Sequence, residues 1–412
     1  MATIGPTHRA LARDSVALLV GSTVNGIASY ALVAVGTRAY GAADFAPVSV
    51  MWTFWAMSVA VFTFPIQHWI IRTFQVDQGE GGVRRALPQL VVLTVAGAAV
   101  LTALAVVLRV RFFGSSTPLW PVLVLLVTAG SAVTGYLRGV LSGRRRFVAT
   151  GVAIAADAVV RLLACGLVVA LGGSVAWFAA AIAVGPVILL IWPSVLSLRS
   201  DGGGSAVPVA GFLGGLAGGV LLSQIALNAG PAVLAAIGGA PAQVTALFAT
   251  MALFRAPYLI ALGLASRGTG PLTRLAASGN EGRLSRLRTG VAAVGLAGAL
   301  IGGLLGWWIG PALVDLIFGT GVAPQASVVA IVAAGSAVAL MGLVAVLLLV
   351  ARAATPAITV SWVVAFVAAT AVLLVASDDA LTRVALAFIV AEVVSLALML
   401  AADRRTAGPV AP

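Results

Sequence analysis

The chain reads as an all-α polytopic membrane protein, with about twelve transmembrane helices in two six-helix lobes. Three observations lead there. Of 412 residues, 61% are hydrophobic and only 9% are charged, against about a quarter charged in an ordinary soluble domain. A water-soluble fold of this size needs a polar skin that this composition does not supply. The apolar residues run on well past the roughly 9–11 residues of a barrel strand, so helices do the spanning. A single glycine-rich polar stretch falls at the midpoint, with six apolar runs on each side.

The twelve runs are 15–37, 46–71, 88–108, 118–141, 148–171, 174–198, 209–236, 243–265, 290–317, 325–351, 356–377 and 381–402. Each suffices to cross a hydrocarbon core of about 30 Å at about 1.5 Å per residue. The first is too long for the h-region of a cleaved signal, and it carries Ser22, Thr23 and Asn25 in its interior.

Arginine sets the orientation. The net charge is +12 and every basic residue apart from two histidines is Arg. With the N-terminus inside, the cytoplasmic pieces hold eighteen arginines, Arg72, Arg84, Arg138, Arg144 and Arg352 among them, and the outer pieces four, Arg38, Arg109, Arg111 and Arg383. The positive-inside rule then places both termini in the cytoplasm of a plasma (inner) membrane. The longest loops, 72–87, 199–208 and 266–289, are cytoplasmic. The outer acids are Asp44, Asp315, Asp378 and Asp379; no sizeable outer loop gathers catalytic carboxylates, and no enzyme is expected. The lone cysteine, Cys165, excludes an intrachain disulfide. There is no Walker lysine and no metal-ligand spacing, so neither direct ATP driving nor a cofactor is expected.

The midpoint stretch, 199–208, has the composition of a flexible linker. It divides the chain into an N-terminal lobe, 1–198, and a C-terminal lobe, 209–412. The lobes echo each other: Ala129-Gly130-Ser131-Ala132-Val133 recurs as Ala334-Gly335-Ser336-Ala337-Val338, and a shift of 199 puts Asn25 on Gln224. Six spans per lobe make a parallel pseudo-repeat, an arrangement that transporters use for alternating access; a duplicated but static bundle is the other reading.

Few polar groups lie inside the spans. An ionisable one at mid-membrane costs about 2.5–3.5 kcal/mol and should face protein or a wet cavity. Asp157 and Arg161, four apart, share a helix face. They are either an ion pair that makes insertion tolerable or the lining of a cavity in which Arg161 meets an anion. Arg255 stands in Phe254-Arg255-Ala256-Pro257 with no acid near it in sequence and a kink-forming proline two residues on, and is the best single candidate for an anion ligand. Glu392 is alone in the last span, either paired with an arginine from another helix or carrying a coupling proton. Asn25, Gln224 and Asn228 complete the candidate set. Gln224 and Asn228 share a face and precede the breaker pair Gly230-Pro231. Gln67-His68-Trp69 fits an interface belt as well as a site. The segment 266–289, with Arg274, Arg283, Arg286 and Arg288 among leucines and a break at Gly279-Asn280, reads as two short amphipathic helices on anionic inner-leaflet lipids, or as a plain positive-inside loop.

With these residues in view, the chain resembles the polysaccharide (Wzx-like, O-antigen type) flippases of the multidrug/oligosaccharidyl-lipid/polysaccharide transporter superfamily. The resemblance lies in Gly21-Ser22-Thr23 through Asn25 to Arg38-Ala39-Tyr40-Gly41 and Phe45, and in Arg138-Gly139 through Arg144-Arg145-Arg146-Phe147. It continues in Phe254-Arg255-Ala256-Pro257 and in Pro271-Leu272-Thr273-Arg274 through Arg283-Leu284. It implies a MATE-like fold and the flipping of a polyprenyl-pyrophosphate-linked oligosaccharide from inner to outer leaflet, with polysaccharide synthesis enzymes as partners and no nucleic acid. The residues agree in one respect: the embedded unpaired charge is cationic, and guanidinium forks suit phosphate oxygens. On this reading Arg255, Arg161, Asn25, Gln224 and Asn228 bind substrate, and Asp157 and Glu392 serve coupling or ion pairing. A multidrug/cation antiporter of the same fold and a non-transporting scaffold for polysaccharide synthases are the alternatives.

Overall fold

The computed structural model describes residues 8–201, 208–261, 272, 274–276, 278, 280–352, 354–376 and 379–405. Among them the secondary structure is helical, with no strand. Among the described residues eight helical runs are long and apolar enough to cross a membrane. Many of their large apolar side chains point outward, among them Val107, Leu163, Trp308 and Val375. Lipid satisfies such a surface and water does not.

The chain divides into two compact units, Met1–Gly41 with Val50–Ala217, and Ala42–Ser49 with Gly218–Pro412. The first long run, Arg13–Asp77, holds two expected spans rather than one. Helix α1 (His8–Ser58) breaks at Gly41, where φ is 77° and ψ 167°, a conformation open to glycine and strained for a residue with a Cβ. The expected loop between the first two spans is thus a one-residue break. A π turn, Val59–Thr63, leads into α2 (Phe64–Asp77). There Thr63 Oγ1 donates to the Ser131 carbonyl at 2.8 Å.

The first unit continues with α3 (Gly81–Val107), the short α4 (Arg109–Phe113), α5 (Leu119–Gly143), α6 (Phe147–Ala170) and α7 (Val175–Ile182). Small residues let these helices approach closely: a Cβ on Gly21 of α1 would lie 2.2 Å from the Gly151 carbonyl oxygen of α6. The core is Trp69, Ile70, Leu137, Leu141 and Ile188. Trp69 is fully buried and His68 exposed, the latter with its ring Nδ1 2.7 Å from the Phe64 carbonyl. The tryptophan is therefore a packing residue and not part of an interface belt. The sixth expected span is not one helix: beyond α7 it narrows to two 3₁₀ segments, Gly185–Ile191 and Pro193–Leu196, each with proline in its first turn.

Helix α8 (Val209–Asn228) begins in the first unit and from Gly218 on belongs to the second, which continues with α9 (Gly230–Ala236) and α10 (Pro241–Phe254). The α8/α9 break falls at Ala229, just before the Gly230-Pro231 pair that opens α9. Next come α11 (Glu281–Trp308), α12 (Gly310–Phe318), α13 (Ala326–Ala351), α14 (Thr355–Val375) and α15 (Ala380–Arg405). Leu349, Trp362, Ala365 and Met399 are in its core. Helix α11 corrects the expectation of a second surface helix before position 290. Asn280 caps its start, accepting from the Arg283 amide at 3.1 Å. Arg283, Arg286 and Arg288 therefore lie in the first turns of one 28-residue helix. The other expected surface helix falls largely on 262–271, 273, 277 and 279, outside the described residues.

Candidate functional site

In the first unit, three helices and a 3₁₀ turn assemble a buried charge cluster. Asp157 and Arg161 sit one turn apart on α6, and Arg161 donates to Asp157 Oδ1 through Nε at 3.2 Å and Nη2 at 3.0 Å. The i, i+4 spacing puts them there. A second guanidinium reaches the other carboxylate oxygen: Arg138 Nη2 of α5 lies 3.4 Å from Asp157 Oδ2. Trp55 of α1 stacks on Arg161, its ring centroid 4.8 Å from the guanidinium carbon, a cation–π contact. Gly185 closes the cluster: a Cβ there would meet Arg161 Nε and Asp157 Oδ1 at 2.2 Å. The side chains of Arg138, Asp157 and Arg161 are 11%, 4% and 6% exposed.

Arg138 is a correction. The arginine count set it among the cytoplasmic pieces, at the inner end of the fourth expected span, but α5 runs on to Gly143, and Asp157 on the next helix draws the guanidinium inward. Sequence reasoning missed it because its partner is on another helix, whereas Arg161 announced itself by spacing.

In the second unit the structure links three expected residues and adds a fourth. Helix α10 stops at Phe254 and helix resumes at Ala256, so Arg255 stands at a break; Pro257 has no N–H to offer the preceding turn. Arg255 Nη1 donates to the Leu227 carbonyl at 3.0 Å and to Asn228 Oδ1. Because α8 ends at Asn228, Leu227 offers one of the carbonyls that a helix C-terminus leaves open, and a cation suits that end of the dipole. Asn228 Nδ2 donates to the Gln224 carbonyl at 2.7 Å and approaches Gln224 Oε1 at 3.4 Å. Gln224 Nε2 donates to the Tyr258 hydroxyl at 3.3 Å. The result is a continuous polar chain, Arg255–Asn228–Gln224–Tyr258. Tyr258 was the unforeseen member.

Glu392 of α15 is buried, within electrostatic range of Tyr258. Its Oε1 has no hydrogen-bond partner among the described residues. Ion pairing with an arginine from another helix, one of its two expected roles, is not seen among them. Asn25 is half-buried on α1, and no hydrogen bond joins its side chain to the Arg138–Asp157–Arg161 cluster.

A second set of charges went unforeseen, at the helix ends that the arginine count assigns to the cytoplasm. Arg144, just past α5, grips Glu80, just before α3, through Nε–Oε1 at 2.7 Å and Nη2–Oε2 at 2.9 Å. The same arginine donates to the carbonyls of Ser194 and Ser197. The Arg199 amide adds a bond to Glu80 Oε2 at 2.8 Å, and the Glu80 amide donates to Asp201 at 3.0 Å. Burial pushes the Glu80 carboxyl upward, but the Arg144 and Arg199 hydrogen bonds outweigh it and hold it below the usual carboxylate range. In the second unit Arg352, just past α13, grips Glu281 at the start of α11 at 2.9 and 2.7 Å. Arg352 Nε also lies 2.7 Å from Asp403 Oδ1, a charge contact without hydrogen-bond alignment, and Asp403 accepts from Arg288 at 3.1 Å.

No family model matches the sequence and no curated protein matches it. The fold has solved counterparts, all at low identity. It is similar to an inward-facing multidrug resistance MATE family transporter of the MOP superfamily: TM-score 0.65, 14% identity, 94% of this chain and 98% of that one. It is also similar to the eukaryotic MATE transporter AtDTX14, TM-score 0.58, 12% identity, 96% and 99% covered. The bent form of the Vibrio cholerae MATE transporter VcmN gives TM-score 0.53 and 14% identity over 97% of this chain and 96% of that one. The chain therefore has the MATE transporter fold, that of a multi-pass membrane protein; each of these counterparts is named as a transporter.

Proposed function

We propose that this protein is a membrane transporter that moves a polyprenyl-pyrophosphate-linked oligosaccharide from the inner to the outer leaflet by alternating access, for cell-surface polysaccharide synthesis. The observation that carries the reading is the polar chain from Arg255 to Tyr258. It ends in a guanidinium at a helix break, held by a carbonyl and an amide oxygen, acceptors that a phosphate oxygen can replace. Guanidinium pairs with phosphate bidentately, and the amides of Gln224 and Asn228 suit sugar hydroxyls. Arg161 and Asn25 are the ligands proposed in the first unit. Both termini face the cytoplasm in this reading, anionic inner-leaflet lipids meet exposed arginines such as Arg283 and Arg286, and polysaccharide synthesis enzymes are the partners. An inside-negative potential favours outward movement of an anion by about 2.3 kcal/mol per charge per 100 mV.

A second reading, a multidrug or cation antiporter, draws on Glu392, a buried acid with an unpartnered oxygen, and on the name of one structural counterpart, a multidrug resistance transporter. Mass spectrometry of lipid-linked glycans from a deletion strain separates the two. Accumulation of a polyprenyl-pyrophosphate oligosaccharide supports the flippase. An unchanged lipid pool with increased sensitivity to organic cations supports the antiporter, and neither change leaves a membrane scaffold for polysaccharide synthases.

A further inference from the structure

We infer that Arg138 and Arg161 form, around Asp157, a binding site for one phosphate-type oxyanion. The inference deepens the reading of Arg161 as an anion ligand, but it stands on the charge and geometry of the first unit and not on the identity of the cargo.

The argument is one of charge and unfilled donors. Two guanidinium groups share one carboxylate, so the cluster carries one excess positive charge in a place from which water is largely removed. Asp157 has spent both oxygens, Oδ1 on Arg161 and Oδ2 on Arg138. Two donors remain: Arg161 Nη1 and Arg138 Nε are buried and have no hydrogen-bond partner among the described residues. Buried donors are normally satisfied, and a buried charge without its counterion is costly. A single oxyanion repairs both faults, since it supplies the missing charge and accepts from both guanidinium groups. Trp55 and the bare backbone of Gly185 press on Arg161 from elsewhere, which fixes the fork before the anion arrives. Preorganisation of this kind lowers the ordering cost of binding.

The oxyanion could be free phosphate or the phosphate of a lipid head, and the test separates them. Purified full-length protein in a neutral maltoside detergent is titrated with inorganic phosphate and, separately, with dodecyl phosphate. Gluconate at matched ionic strength is the control, and thermal unfolding is the readout. A ligand at ten times its Kd stabilises the folded state about elevenfold in equilibrium constant. The wild type is expected to be stabilised by at least one of the two. Response to both assigns a general oxyanion site, and response to dodecyl phosphate alone assigns a lipid-head site. Arg138→Gln leaves a neutral pair, and affinity should fall about tenfold or more, the worth of a charge-assisted hydrogen bond. Asp157→Asn doubles the excess charge, and affinity should rise. No stabilisation of the wild type beyond gluconate overturns the inference, as does an undiminished response in Arg138→Gln. Should that variant not fold, an Asp157→Asn protein with unchanged or weaker affinity overturns it. None of these measurements involves export, so a negative result here leaves the glycan-accumulation assay to judge the flippase reading by itself.

Discussion

Arg144 and Glu80 face each other as two parallel forks, at 2.7 and 2.9 Å, and Arg352 and Glu281 repeat the arrangement in the second unit. Glu281 follows Glu80 by 201 residues, and Arg352 follows Arg144 by 208. Each arginine ends one long helix, and each glutamate opens the long helix beside it. Asp201 and Asp403, 202 residues apart, add a carboxylate to each clamp. Such agreement in residue type, helix position and offset argues for an internal duplication better than the shared Ala-Gly-Ser-Ala-Val string, which an alanine-rich chain can produce by chance.

Removing one side of a buried ion pair strands the other, at a cost of about 3–5 kcal/mol when fully buried. Arg144 also serves two carbonyls, whereas Glu281 is nearly half-exposed on its side chain. Arg144→Gln should therefore destabilise by about 3 kcal/mol and Glu281→Gln by about 1 kcal/mol or less. Thermal unfolding in detergent reads the order; an equal or inverted loss removes the asymmetry argued here.

The Glu80 clamp also sets an acid limit. Its folded pKa is depressed, so its contribution is fully present above the unfolded value of about 4.3 and is lost as pH falls through the lower folded value. Stability should be level with respect to this group from neutrality down to about pH 5 and fall below it. In Glu80→Gln the acid-side fall should be shallower, although the variant starts less stable. An identical acid limb in both proteins would place the acid limit elsewhere.

Gly185 tests the packing of the first unit. Its Cβ would overlap the Arg161–Asp157 pair, and backbone on one side and a buried ion pair on the other cannot both yield. Gly185→Ala should cost about 3 kcal/mol or more, in the range of a disrupted buried pair. On the proposed flippase function, glycan export should fall with it. Full stability in that variant would mean that the pair can move aside at little cost.

Much of this was readable beforehand, because it is local. The i, i+4 spacings put Asp157 with Arg161 and Gln224 with Asn228 on shared helix faces, and the side chains of each pair meet, at 3.0 Å and 3.4 Å. The Gly230-Pro231 and Pro257 breaks stand where the residues put them. What escaped depends on neighbours far along the chain. Arg138 is indistinguishable from a loop arginine until α6 lies beside it. The Glu80–Arg144 clamp spans 64 residues, and no periodicity encodes it. Trp69 looked interfacial because hydropathy cannot tell a buried aromatic from a belt aromatic.

Asn228 and Arg255 test the proposed glycan export. Arg255→Ala should abolish export with membrane insertion intact, since it removes the charge. Asn228→Ala keeps the charge but frees the guanidinium from its amide, so export should drop by about tenfold, the effect of one lost hydrogen bond to a charged group. Arg255→Lys should fall between them, since an ammonium is a point charge without the fork. Accumulated lipid-linked glycan in each complemented strain orders the series. Normal export by Arg255→Ala would end the proposal that this residue is the anion ligand.

Glu392 offers the last test, which concerns coupling and not binding. It is buried, and among the described residues its Oε1 has no hydrogen-bond partner. An uncompensated carboxylate there should be dispensable for folding, so Glu392→Gln, an isostere without the charge, should unfold within about 1 kcal/mol of wild type. If the residue carries a coupling proton, that variant should still bind cargo but lose the dependence of transport on an imposed proton gradient in proteoliposomes. A variant that transports with the wild-type gradient dependence assigns coupling elsewhere, and one that unfolds reveals a structural carboxylate.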